Sequence, residues 1–144
     1  MTHRLTTFDD LSIGQRTSVT KTFSEEDIQK FIEICGDANP LHVDEAFSQR
    51  TFFKGRIAHG LLTSSLLSTA IGMQLPGSGT IYRSQTLEFL APVRPGDTLT
   101  AHLEVEALNP AANRIDLDCR INRDDGTAIL RGKAVVSLIR TLSP

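Results

Sequence analysis

Apolar residues in the first part of the chain recur at the spacing of a helix. Between Ser24 and Gly36 the i, i+3, i+4 and i+7 positions form one apolar face, made of Ile28, Phe31, Ile32 and Cys35. Ser24 and the acidic residues after it are typical of a helix start, and Gly36 is typical of a helix end. A short second helix is predicted after His42, from Asp44 to Arg50.

A third helix is predicted over Gly60–Leu75, where the residues are apolar or small on nearly every side. A helix with this pattern is expected to be buried all round rather than laid on a surface. The serines, threonines and Gly72 within it make the segment a poor membrane span.

The rest of the chain alternates apolar and polar residues with a period of two, which predicts strands. The alternation is clean over Leu99–Ala107, Arg114–Ile121 and Ala128–Leu138, and mixed over Thr80–Ala91. Turn signals separate these strands at Pro95-Gly96-Asp97, Asn109-Pro110 and Asp124-Asp125-Gly126. A further strand is predicted before the first helix, over Arg16–Phe23.

Short turns between alternating strands predict an antiparallel sheet, and a sheet curled around one buried helix is an α+β arrangement. The 144 residues are about the size of one domain, so we expect a single domain over residues 1–144.

Composition excludes some classes of function. Hydrophobic residues make up 40% and charged residues 22% of the chain, as in ordinary globular proteins and unlike disordered ones. The formal charge of −2 lacks the basic excess that phosphate neutralisation needs, so no nucleic-acid partner is expected.

The two cysteines, Cys35 and Cys119, lie far apart and form no CxxC pattern. Neither a disulfide framework nor a zinc site is therefore expected. Both cysteines are predicted to be small core residues. The N-terminal residues contain no apolar run of the signal-peptide type, so a reducing, cytoplasmic compartment is the expectation.

Candidate chemistry begins at the string GDANPLH, residues 36–42. Pro40 forces Asn39 out of the helical region, which predicts a fixed, non-helical loop. The loop places the Asp37 carboxylate and the His42 imidazole five residues apart. Two such groups facing one gap can hold a water, one taking a proton while the other gives one. A turn that merely ends a helix explains the same residues, and the spacing leaves both interpretations open.

A second string, AHGLL, spans Ala58–Leu62 at the start of the third helix. Amides at a helix N-terminus are unpaired, and Gly60 has no side chain to keep a substrate carbonyl from its N–H. An amide aimed at developing negative charge contributes ~3 kcal/mol to catalysis. The alternative is that His59 or Gly60 only starts the helix, and that Ser68 is a core hydroxyl bonded to a backbone carbonyl.

Together these strings resemble the MaoC-like, or R-specific enoyl-CoA hydratase, family. The resemblance runs from GDANPLH with Val43-Asp44 and Ala46-Phe47 through AHGLL to LPGSGTIYRSQTLEFLAPVRPGDTL, and it covers roughly residues 10–140. It is closest to the stand-alone short hydratases. It implies a hot-dog fold, in which an antiparallel sheet wraps a central buried helix, and a homodimer.

The resemblance also implies site residues and a reaction. Asp37 and His42 match the catalytic pair, and the Gly60 amide matches the group that meets the thioester carbonyl. Asn39 and Ser68 match supporting residues, and His59 is expected beside them in a supporting role. The implied reaction hydrates a trans-2-enoyl-CoA to the (R)-3-hydroxyacyl-CoA, in which Asp37 takes a proton from water and His42 supplies one to the α-carbon. No cofactor and no metal are expected, and no membrane partner.

Three other activities stay open at this point. A 3-hydroxyacyl-thioester dehydratase of fatty-acid synthesis would run the same chemistry in reverse, on a carrier protein or on CoA. A hot-dog thioesterase would usually need a carboxylate on the central helix or on a facing segment, and Gly60–Leu75 contains neither Asp nor Glu. A non-catalytic acyl-CoA-binding module would have no need of Asp37, His42 and Gly60 together.

Overall fold

The computed structural model describes residues 3–141 as an antiparallel sheet with helices packed on it. The strands are β1 (Arg16–Thr22), β2 (Thr80–Gln85), β3 (Glu88–Phe89), β4 (Thr98–Asn109), β5 (Arg114–Arg123) and β6 (Ala128–Leu138). The helices are α1 (Glu25–Cys35), α2 (Pro40–Val43), α3 (Glu45–Gln49) and α4 (Gly60–Met73), and a short 3₁₀ helix, Phe8–Asp10, precedes β1.

The long strands carry the core on one face, as their alternation predicts. The six-stranded sheet has the order β1-β4-β5-β6-β2, with β3 pairing to β6. On β4 and β5 every second side chain is almost fully buried: Leu99, Ala101, Leu103 and Val105, and Ile115, Leu117, Cys119 and Ile121. The antiparallel arrangement, the strand over residues 16–22 and the burial of Cys119 are confirmed.

The predicted single strand over Thr80–Ala91 is wrong, because the chain forms β2 and β3 with a break between them. The break lies where Thr86 crosses Gly132 of β6. A Cβ on Gly132 would lie 1.8 Å from the Thr86 carbonyl oxygen, so only glycine allows this crossing. Beyond the break, Glu88 and Phe89 pair with Arg131 and Leu130.

Helix α1 begins and ends where the sequence predicts. The Ser24 side chain accepts from the Asp27 backbone N–H at 3.1 Å, and the Asp27 carboxylate accepts from the Ser24 N–H at 2.9 Å, which forms a capping box. Gly36 ends the helix in the left-handed conformation, with φ 82°. The prediction that Cys35 is a core residue is wrong, because it lies exposed on the last turn.

Helix α4 packs against β4 and β1, and only one of its sides is buried. That side consists of Leu62, Thr63, Leu66, Leu67, Ala70 and Ile71. Leu61, Ser68 and Met73 lie exposed on the opposite side, so the prediction of a helix buried all round is wrong for the described chain. Within residues 3–141, no helix has both the length and the apolar character that crossing a membrane demands.

The segment between α1 and α4 carries the string GDANPLH. The predicted helix after His42 is present as α3, and Asp44 caps it by accepting from the Phe47 N–H at 2.9 Å. The sequence predicts a non-helical loop over this string, but its last three residues belong to the short helix α2. Pro40 occupies the first position of α2, which its fixed φ and missing donor favour, and His42 lies on that turn.

Candidate active site

A cavity of about 710 Å³ lies between the end of α1, the start of α4 and the segment that follows β3. Asp37, His42, His59 and Gly60 line it together. Its other walls are largely apolar and include Phe31, Phe52, Phe53, Phe89 and Val93. A mostly apolar pocket with a few convergent polar groups is typical of a small-molecule site.

Asp37 and His42 face each other in this cavity without a direct hydrogen bond. The Asp37 Oδ2 and the His42 Nε2 are 3.9 Å apart, beyond the reach of a hydrogen bond. The His42 side chain is only 11% exposed, whereas that of Asp37 is 53% exposed. A single water at the mouth of this gap could contact both groups.

The backbone of the neighbouring segment fixes the orientation of His42. Its Nδ1 lies 2.7 Å from the Ile57 carbonyl oxygen. A carbonyl oxygen can only accept, so Nδ1 carries the hydrogen of this bond and Nε2 is the nitrogen that faces Asp37. The Ile57 N–H in turn donates to the Leu41 carbonyl at 3.1 Å, which ties the two segments together.

Asn39 supports the turn on which Asp37 lies. Its backbone N–H donates to the Asp37 Oδ1 at 3.2 Å, and its own Oδ1 accepts from the Leu41 N–H at 3.1 Å as the cap of α2. The Asn39 side chain is not among the groups that line the cavity. The geometry therefore assigns it to the turn rather than to contact with a ligand.

His59 is buried beneath the pair, with its side chain only 3% exposed. Its Nε2 donates to the Asp37 carbonyl oxygen at 2.8 Å. Its ring stacks on that of His42, with 3.7 Å between the ring centroids, and the ring of Phe31 meets it edge-on at 4.9 Å. The Nδ1 of His59 has no hydrogen-bond partner within the described residues. The hydrogen bond to Asp37 spans 22 residues of sequence, so spacing could not reveal it.

Asp37, His42 and His59 are also the described residues that could hold a metal ion, since each offers a ligand atom within 4.8 Å of the others. Two of the ring nitrogens, His42 Nδ1 and His59 Nε2, already donate to carbonyl oxygens. The absence of a metal requirement stays a prediction from the sequence.

Gly60 is the first residue of α4, and its N–H has no acceptor within residues 3–141. The space where a Cβ would lie is filled by Phe89, whose ring would be 2.7 Å from that atom. The sequence suggests that the missing side chain makes room for a substrate carbonyl. The structure shows that it makes room for a phenyl ring beside the free amide. Phe89 lies in the segment with mixed alternation, where no pattern singles it out.

Ser68 is not brought to the cavity. It lies on the exposed side of α4 and is absent from the cavity lining, so it reaches neither Asp37 nor His42 within the described chain. Its exposure also shows that the alternative interpretation, a core hydroxyl, is wrong.

Comparisons with known proteins agree with this architecture. The profile of the MaoC like domain matches residues 11–123. The chain is 44% identical over 135 residues to a 3-hydroxybutyryl-CoA dehydratase of Methylorubrum extorquens, covering 94% of this chain and 85% of the relative. It is 43% identical over 131 residues to an (R)-specific enoyl-CoA hydratase of Rhodospirillum rubrum, covering 90% and 89% of the two chains.

A solved structure shows the same fold. The (R)-hydratase from Aeromonas caviae superposes with a TM-score of 0.85 at 41% identity, covering 90% of this chain and 98% of that one. The sheet curled on α4 is thus the hot-dog fold that the sequence predicts. With the profile match over most of its length, the chain belongs to the MaoC-like domain family.

Proposed function

We propose that the protein catalyses the reversible hydration of trans-2-enoyl-CoA to (R)-3-hydroxyacyl-CoA. The observation that carries the proposal is the 3.9 Å gap between the Asp37 Oδ2 and the His42 Nε2, in a cavity that also contains the free Gly60 amide. The names of the relatives from R. rubrum and A. caviae support the same reaction and the same stereochemistry.

The Gly60 amide supplies the electrophilic half of the reaction. When the thioester carbonyl accepts from the Gly60 N–H, negative charge that develops on its oxygen is stabilised and the β-carbon becomes electrophilic. As the first amide of α4, this N–H also has the partial positive charge of a helix N-terminus. No metal or cofactor is required for this step, because conjugation with the thioester activates the double bond.

Asp37 and His42 hold the water and transfer the protons. A water at about 2.8 Å from each atom fits a gap of 3.9 Å between Oδ2 and Nε2. As the oxygen of this water bonds to the β-carbon, Asp37 takes one proton of the water. The Nε2 proton of the His42 imidazolium goes to the α-carbon. The Asp37 proton then returns to His42 Nε2 through the next water, which restores the starting state.

The reverse direction uses the same groups with their roles exchanged. The M. extorquens relative is named a dehydratase, which is the reverse of hydration of the same class of thioester. The relative amounts of enoyl and hydroxyacyl thioester would then decide the direction.

The proposal includes a homodimer. The exposed side of α4 carries the apolar residues Leu61 and Met73, and β2 is an edge of the sheet with Ile81 and Tyr82 each 40% exposed. An apolar helix face and an unpaired strand edge are surfaces that a second copy could cover. Light scattering of the protein as it elutes from a size-exclusion column would give the mass of the assembly.

The proposal also retains a cytoplasmic location, where Cys35 and Cys119 would remain thiols.

The experiment is a hydration assay with purified protein, crotonyl-CoA and longer enoyl-CoAs. Loss of the enoyl ultraviolet absorbance measures the rate, and chiral analysis of the product tests the R configuration. The expected result is hydration in the wild type and its near-complete loss in Asp37→Asn.

Other activities give different results in the same assay. Release of free CoA without hydration would identify a thioesterase, and binding of the thioester without either product would identify a binding module. Full activity of Asp37→Asn would also rule out the proposed mechanism.

A further inference from the structure

The ring of Phe89 lies directly against the amide that the proposed reaction uses. Its Cε1, Cζ and Cδ1 atoms would be 2.7, 2.9 and 3.1 Å from a Cβ on Gly60, so the ring contacts the Cα of that glycine. Phe89 also lines the cavity that holds Asp37 and His42, and it is 50% exposed. It is thus an apolar part of the cavity wall that lies against Gly60, one of the three groups assigned to the chemistry.

The backbone that carries this ring is fixed on both sides. The Thr86 N–H donates to the Lys133 carbonyl at 2.9 Å, and the Leu90 N–H donates to the Ile129 carbonyl at 2.8 Å. Between these bonds, Phe89 pairs with Leu130 of β6. A substitution at position 89 therefore changes the size of the wall and leaves the path of the chain in place.

We propose that Phe89 is a specificity-determining residue that favours straight-chain over methyl-branched acyl groups. This inference rests on the proposed hydratase function and names the substrate class of that same site.

The argument follows from the position of the carbonyl. A thioester oxygen that accepts from the Gly60 N–H lies about 2.9 Å from that nitrogen. The carbonyl carbon and the next carbons of the acyl group must then pass within a few ångströms of the Phe89 ring, which contacts the same glycine. A straight chain can lie along the ring, whereas a methyl branch near the thioester takes up the space that the ring fills.

The test compares kcat/KM for crotonyl-CoA with that for 2-methylcrotonyl-CoA, in the wild type, Phe89→Ala and Phe89→Leu. One methyl group in an apolar pocket changes discrimination by about 10-fold or more. We expect the kcat/KM for the branched substrate, divided by that for the straight one, to rise about 10-fold in Phe89→Ala. It should rise by less in Phe89→Leu. The smaller change in Phe89→Leu serves as the test if Phe89→Ala fails to fold.

The matched control is Phe47→Ala. Phe47 is 37% exposed on α3 and does not line the cavity, so its removal should leave the ratio unchanged. A wild-type ratio in both Phe89 variants, or the same shift in Phe47→Ala, overturns the inference. Hydration of crotonyl-CoA by the wild type separates this result from failure of the function itself, in which no enoyl-CoA is hydrated.

A double-mutant cycle with Gly60→Ala gives a second readout. The added methyl would collide with the Phe89 ring and push it toward the substrate, so we expect a smaller cost of Gly60→Ala in the Phe89→Ala background. An equal cost in the two backgrounds would show that the ring does not reach the reacting carbonyl.

Discussion

The outer face of the sheet and the cavity use charged side chains in opposite ways. On the sheet, the Asp118 carboxylate contacts the Lys133 Nζ and the Arg120 Nε directly, each at 3.0 Å. In the cavity, Asp37 and His42 are kept 3.9 Å apart by hydrogen bonds from their surroundings. Direct pairing satisfies charges with each other, whereas separation leaves both groups free to bind a third molecule.

Asp37→Asn and Asp118→Asn are matched substitutions that test this difference. Asp37→Asn should lower kcat/KM for hydration by about 10²–10⁴-fold, because an amide cannot take the proton of the water. Asp118→Asn should leave kcat/KM within about twofold of the wild type, since Asp118 does not line the cavity and pairs with the exposed side chains of Lys133 and Arg120. Steady-state rates with crotonyl-CoA measure both.

The conclusion requires folded proteins. Thermal unfolding should give the Asp37→Asn variant a melting temperature close to that of the wild type. An equal loss of activity in the two variants would mean that the cavity is not the functional region.

The sheet should matter more than the cavity for stability. Leu117 is fully buried on β5, and Leu117→Ala should lower the free energy of unfolding by about 2–5 kcal/mol because it leaves a space in the core. Phe52→Ala should change it by less than about 0.5 kcal/mol, since that ring lies exposed at the cavity wall. Urea titration of both variants checks this contrast. Equal losses of unfolding free energy in the two variants would contradict it.

His59 tests whether a buried group of the cavity acts on activity rather than on stability. His59→Phe keeps a ring for stacking on His42 and removes the donor to the Asp37 carbonyl. It also removes a buried Nδ1 without a partner in the described residues, so the free energy of unfolding should change little.

We expect a fall of about 10-fold in kcat with KM little changed, as for a positioning residue that orients Asp37. A fall in stability with kcat unchanged would instead assign His59 to packing alone.

The smallest effect concerns acid stability. Burial alone would raise the pKa of Asp118, but the hydrogen bond and charge of Lys133, together with Arg120, hold that pKa below its ordinary value. The folded state thus binds this proton less readily than the unfolded state. The stabilisation is complete above the unfolded pKa of about 3.9 and is lost as the pH falls through the lower folded pKa.

We expect a contribution below about 1 kcal/mol, because the Lys133 side chain is exposed. The free energy of unfolding, measured by denaturant titration from about pH 6 to pH 2, should fall less steeply in Asp118→Asn. An unchanged slope would show that Asp118 does not contribute.

Much of the fold could be predicted because local rules decide it. Ser24 and Gly36 delimit α1 through capping, and the alternation of β4 and β5 follows from burying one face. The break between β2 and β3 could not be predicted, since it depends on the contact of Thr86 with Gly132 on another strand. The exposure of Cys35 depends similarly on what the last turn of α1 faces, and periodicity does not contain that information.

The candidate site divides in the same way. Asp37, His42 and Gly60 could be named from local strings, and the structure brings all three to one cavity. The contacts of His59 with Asp37, and of Phe89 with Gly60, join residues that are distant in sequence. Such contacts leave no local pattern, so only the folded chain reveals them.

The bonds between residues 37–42 and 57–59 run in both directions and have a consequence for protein engineering. His42 donates to Ile57, Ile57 donates to Leu41, and His59 donates to Asp37. Each segment is therefore the scaffold of the other. A designer who grafts the first segment into a different hot-dog protein would need to graft the second with it, since either one alone would lose the partner that sets its shape.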